Sequence, residues 1–161
     1  MYKFIFWICL TFFSFGIHAH GSKQDADKQS HLLYEQKEWG IASGHAKVHR
    51  IIQINMSDSM TFSPKLIKVK LGEHIKFMIR NKGQALHEFV LGTPEELTVH
   101  AELMRRFPDM EHDEPYMAHV PAGQNGQIDW LFNREGEFEF ACLMPGHFEA
   151  GMVGRIVVSK K

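Results

Sequence analysis

The chain has 161 residues, with 18 Lys and Arg against 19 Asp and Glu and a formal net charge of -1. So even a balance implies no basic face able to track nucleic-acid phosphates, and the length suits a single domain around one apolar core. Eleven His and nine Met are the unusual counts; they bias the reading toward metal handling, although Met by itself is ordinary core filler.

Residues 1–19 read as a secretory signal peptide. Lys3 supplies the positive start, Phe4 to Ile17 the apolar run, and Ile17-His18-Ala19 a small-residue cleavage site before His20. The run is shorter than the ~20 residues that span a bilayer, so the expectation is a cleaved leader, a periplasmic protein and no stable membrane anchor afterwards. Cys9 leaves with the leader, and Cys142 is then the single thiol of the exported chain. An unpaired thiol in an oxidising compartment is open to exchange and oxidation unless it is buried or metallated.

Residues 20–47 are polar and lack sustained periodicity, which reads as a flexible arm, with a short helix or turn over Leu32 to Trp39. His20, His31, His45 and His49 are either solvated or parts of a weak accessory metal site. Cleavage after Ala19 gives His20 an α-amine beside its imidazole, a reasonable Cu(II) chelate.

From Val48 the pattern turns to strands. His49 to Met56 is rich in β-branched residues, Ser63 to Lys70 alternates apolar and charged positions as one run, and His74 to Arg80 alternates again, with His74 expected on the outward side. After the Asn81-Lys82-Gly83 turn comes Leu86 to Leu91, which carries His87. Thr93 as N-cap, Pro94 at the first helical position and the acidic pair Glu95-Glu96 start a helix that Pro108 stops; Leu97, Ala101, Met104 and Phe107 share a face. Asp109 to Ala118 has no clear period. Gln127 to Phe132, Glu137 to Cys142 and Val153 to Ser159 are the last strands. Short strands separated by turn signals predict an all-β sandwich with a short helical insertion containing Met and His, the domain running over 48–161.

Between the last two strands lies Cys142-Leu143-Met144-Pro145-Gly146-His147-Phe148-Glu149-Ala150-Gly151-Met152, a C-x4-H-x4-M arrangement. Thiolate and thioether favour copper, while imidazole suits copper, zinc or iron alike. A trigonal His2Cys site with a weak axial Met needs one more imidazole, and His87, which lies 55 residues before the Cys, is the candidate. Gly146 and Gly151 allow a tight loop, and Pro145 stiffens it while removing an amide that would otherwise be free to donate to the sulfur.

The strand order, the His in Leu86-His87-Glu88-Phe89 and the closing loop resemble the cupredoxins, the blue-copper proteins of Greek-key β-sandwich fold. Phe62-Ser63-Pro64, His87 through Leu97 and Cys142 through Gly154 narrow the resemblance to the periplasmic CopI-type copper-resistance cupredoxins, over roughly Val48 to Ser159. The resemblance implies one copper held by His87, His147 and Cys142 in a plane with Met152 as the long axial ligand. One position departs from many electron-transfer cupredoxins: the residue after the first His is Glu88 rather than Asn or Ser. It is either an acidic neighbour that strengthens metal binding and lowers the potential, or a solvent-facing side chain.

Met110, His112, Met117 and His119, with Met104 nearby, form a second constellation on the irregular segment around Pro108 and Pro115. Soft thioethers with imidazoles select Cu(I); the same residues also make a Met-lined cover with surface histidines, the role that helical spacing with Leu97 and Ala101 assigns to Met104. Three function classes follow. They are a copper-tolerance protein that sequesters periplasmic copper or exchanges it with a donor or acceptor, a mobile electron carrier with a redox partner, and, least favoured, a small cuprous oxidase. A single mononuclear site offers no place to complete multi-electron reduction of oxygen, and no nucleophile elbow or metalloprotease helix is present.

Overall fold

Alternation of apolar and polar residues sets which side of most strands is buried, and the computed structural model describes residues 35–44, 47–108, 110 and 112–160. They form β1 (Gln36–Lys37), β2 (Gly40–Ala42), β3 (Arg50–Ser57), β4 (Thr61–Ser63), β5 (Leu66–Lys70), β6 (Glu73–Asn81), β7 (His87–Gly92), α1 (Pro94–Arg106), β8 (Met117–Val120), β9 (Asn125–Phe132), β10 (Gly136–Ala141) and β11 (Val153–Ser159). The expected leader over 1–19, and also His20, His31 and His45, lie outside the described residues. Among the described residues no helix is long and apolar enough to cross a membrane.

The strands make a β-sandwich. One sheet has the order β1-β2-β9-β6-β3-β4 and the other β5-β11-β10-β7-β8. The β3–β6 and β5–β11 pairs are parallel. Inward residues of both sheets interdigitate: Ile54, Ile75, Phe77, Ile79, Ile128 and Trp130 from one, Phe89, Leu91, Phe140 and Ile156 from the other. Phe140 lies 4.9 Å from Phe89 and 5.0 Å from Phe62 between ring centroids, so an aromatic wall backs the end of β10 that leads into Cys142.

Thr93 caps α1 as expected: its side chain accepts the Glu96 N–H, and the Glu96 carboxylate accepts the Thr93 N–H in return. Leu97, Ala101 and Met104 pack with Val90, Met117, Ala141 and Leu143, so the helix covers the outer side of β7 and β10. Phe107, expected on that face, is instead 57% exposed. Helix geometry ends at Arg106, and the ring one residue further on is no longer carried round to the sheet.

Three other expectations change. Ser63 to Lys70 is not one strand. Pro64 has no N–H for a ladder, and the chain crosses there from β4 in one sheet to β5 in the other. His74 sits on the outer side of β6 yet is only 2% exposed, because Ser43, Lys47 and His49 lie against it. Ser43 Oγ bonds its Nε2, the Lys47 carbonyl is 3.1 Å from its Nδ1, and its N–H donates to His49 Nδ1 at 2.9 Å. Finally, residues 36–42 do not behave as a flexible arm. They form a hairpin that adds to the edge of β9, with no helix at its described residues, and Trp39 is buried in the core.

Candidate metal centre

Antiparallel pairing of β10 with β11 sets Ala141 opposite Val153, so the residues just beyond them, Cys142 and Met152, come side by side at the base of a loop. The Cys142 N–H donates to the Met152 carbonyl at 3.1 Å and the Met152 N–H to the His147 carbonyl at 3.0 Å. Gly146 and Gly151 take φ of 86° and 83°, values that favour residues without a Cβ, and these turns fold His147 back over the thiol. β7 lies on the other side of β10 and brings His87 to the same end of the sandwich.

The result is a convergent donor set. His147 Nδ1 is 3.2 Å and His87 Nδ1 3.9 Å from Cys142 Sγ, and the ligand atoms of the three residues lie within 4.8 Å of one another. His87, Cys142 and Met152 are fully buried, and the half-buried His147 forms the edge toward solvent. The Met152 thioether is in the same buried cluster as the thiol. Two imidazole nitrogens and a thiol meeting in a dry pocket beside a thioether suit a soft or borderline transition ion, and copper above others.

Burial pushes the Cys142 thiol up to about 11, against amide N–H donors from Glu88 and Met144. An ion at this point has to displace that proton, because the thiolate is the ligand. The His147 imidazole is held below its ordinary value, first by burial and then by its neighbour His87.

Glu88 does not face solvent. It is 2% exposed; its N–H donates to Cys142 Sγ at 3.2 Å, and its carboxylate lies 3.0 Å from His119 Nε2, across the β7–β8 ladder. Desolvation raises the Glu88 carboxyl above the usual range, opposed by His119 and the Leu143 amide.

Of the second constellation, His112 and His119 come together, with ring centroids 6.0 Å apart. Met110 lines a cavity of about 280 Å³ with Leu86, Glu88, Met104, Pro108, His119 and Met144. Met117 is buried in the cluster beneath α1 and serves there as core, as Met104 does for the most part. His100 was missed: its Nε2 is 2.7 Å from His112 Nε2. Its helical spacing to Met104, i to i+4, was the available signal.

The arrangement of the sheets recurs in solved structures. Dithionite-reduced auracyanin from Roseiflexus castenholzii matches with a TM-score of 0.59 at 18% identity, over 71% of this chain and 99% of that one. An azurin from Methylomonas sp. strain J matches with a TM-score of 0.58 at 15% identity, over 70% of this chain and 100% of that one. At such identities the likeness concerns the fold, and the fold is that of the cupredoxins. A family profile described as copper binding proteins, plastocyanin/azurin family, matches residues 48–159, and the chain belongs to that family. Among curated relatives, the copper-resistant cuproprotein CopI of Rubrivivax gelatinosus is 47% identical over 88% of this chain and 84% of its own length. CopI of Pseudomonas aeruginosa is 32% identical over 74% and 82%.

Proposed function

We propose that this chain is a periplasmic copper-tolerance protein that holds one copper through His87, Cys142, His147 and Met152 and sequesters it or hands it on. The observation that carries this reading is the buried meeting of two Nδ1 atoms and one Sγ within 4.8 Å, in a chain similar to proteins named for copper resistance. Copper in such a donor set supplies one-electron chemistry between Cu(I) and Cu(II). The protein's part is to keep water out, to hold the His87 imidazole by its Nε2 side, and to direct the Glu88 and Met144 amides at the sulfur. The signal peptide over 1–19 and the export it implies belong to the same proposal, as does the reading of His20 as a Cu(II) chelate.

Met110, His112 and His119, with His100 beside them, support an accessory cuprous site next to the first, within reach of a donor or acceptor protein. Electron transfer to a redox partner is the second reading, favoured by the half-buried His147 edge and by the exposed apolar side chains Leu86 and Met110, which line one cavity with Met144.

The test is an optical spectrum with metal analysis of the mature protein after adding Cu(II), alongside Cys142→Ser. Strong visible thiolate-to-copper absorption that vanishes in the variant supports the site; a colourless protein, or colour independent of Cys142, refutes it. Copper-sensitive growth on deletion, unrescued by Cys142→Ser, separates tolerance from a purely respiratory defect.

A further inference from the structure

Asp58 stands in the turn between β3 and β4, far from either ligand-bearing segment in sequence. In the fold its carboxylate meets the outer side of the His87 ring: Oδ1 is 3.0 Å from Nε2. The same carboxylate accepts the Gln84 N–H at 2.7 Å through Oδ2 and the Ala85 N–H at 3.3 Å through Oδ1. Gly83 makes room for it, since a Cβ there would lie 1.9 Å from Oδ1. Asn81 braces the loop from beneath, accepting the Gly83 N–H at 2.8 Å and donating to the carbonyls of Ala85 and Val120.

We infer that Asp58 is a positioning residue of the metal centre: its carboxylate accepts the His87 Nε2–H, leaves the Nδ1 lone pair aimed at the space beside Cys142 Sγ, and biases a bound copper toward Cu(II). This rests on His87 being a ligand, as proposed above. The physical reason is that an acceptor on the far nitrogen fixes the tautomer and ring orientation and makes the near nitrogen a stronger donor. A stronger donor stabilises the higher charge more than the lower. An anionic acceptor does this more than a neutral one, so position and charge are separable by substitution.

Asp58→Asn keeps an acceptor oxygen at the same place and removes the charge; Asp58→Ala removes both. The expected result for Asp58→Asn is an intact Cys142-dependent absorption band with the Cu(II)-over-Cu(I) preference reduced about tenfold, an upward shift in potential of about 59 mV for one electron. For Asp58→Ala, Cu(II) affinity measured by chelator competition falls at least tenfold. In the metal-free protein, two-bond proton–nitrogen NMR correlations show His87 as the Nε2–H tautomer in wild type and as a mixture in Asp58→Ala. Gly83→Ala, which crowds the carboxylate without altering its chemistry, shifts the potential in the same direction as Asp58→Asn. An Asp58→Asn protein with intact band and wild-type potential overturns the inference alone, and so does a wild-type His87 protonated at Nδ1. Absence of any Cys142-dependent band in wild type removes the copper reading and this inference together.

Discussion

Replacing Trp39 with alanine tests whether the hairpin of residues 36–42 is part of the folded domain. The side chain is 3% exposed, stacks on Trp130 at 6.5 Å and meets the edge of Tyr116 at 5.5 Å. The Trp39 carbonyl also accepts the Trp130 Nε1–H at 2.9 Å. Burial of about 150–250 Å² at about 25 cal/mol per Å² gives roughly 4–6 kcal/mol as the upper transfer value. Partial collapse of the site brings this into the ~3–5 kcal/mol range of measured aromatic truncations. We expect a loss of about 4 kcal/mol, a large share of the ~5–15 kcal/mol typical of whole domains, and a fall in Tm on the order of 15 °C. Urea denaturation of the metal-free mature protein, followed by Trp130 fluorescence and far-UV circular dichroism, measures it. A loss below about 1 kcal/mol would refute the packing of this hairpin on β9, since no fully buried indole is removed so cheaply.

Gly154→Ala should destabilise by about 3 kcal/mol, because the new Cβ would lie 2.1 Å from Phe140 Cζ and that ring, held by Phe62 and Phe89, has nowhere to move; chemical denaturation checks it. Thr93→Ala removes the side-chain half of the capping box, the acceptor of the Glu96 N–H, while keeping the backbone N–H that donates to Glu96, and should lower stability by about 1 kcal/mol, read from the same urea curves. Tyr116 is pushed up to about 12 by burial, aided by Glu114, Glu35 and Glu96. The folded chain therefore binds its proton more tightly than the unfolded chain does, so this contribution to stability is constant below pH 10 and declines between pH 10 and about 12. Ultraviolet titration should show a late phenolate component that Tyr116→Phe abolishes.

The strands β6, β9 and β10 are legible because period-two alternation reports directly which face of a strand is apolar, β3, β7 and β11 because short apolar, β-branched runs are bounded by turn signals, and α1 because its cap and first turn are local chemistry. Cys142, His147 and Met152 are legible for the same reason: they share one loop, and their spacing is visible without a partner strand. His87 is a lone imidazole whose significance came from the composition of that distant loop.

What periodicity does not report is the material that covers a face. His74 alternates outward as its position requires, and only Ser43, Lys47 and His49 lying against it make it buried. Trp39 sits in a polar, aperiodic segment and becomes core only once β9 offers Trp130. The sequence alone determined the sandwich class, the capped helix and the chemical types able to hold a copper ion, since those depend on residue order and local conformation. Only the tertiary structure decided which groups stand behind the proposed ligands. Asp58 meets His87 across 29 residues and the Glu88 N–H meets Cys142 Sγ across 54, contacts that exist because separate strands and turns close on one end of the sandwich.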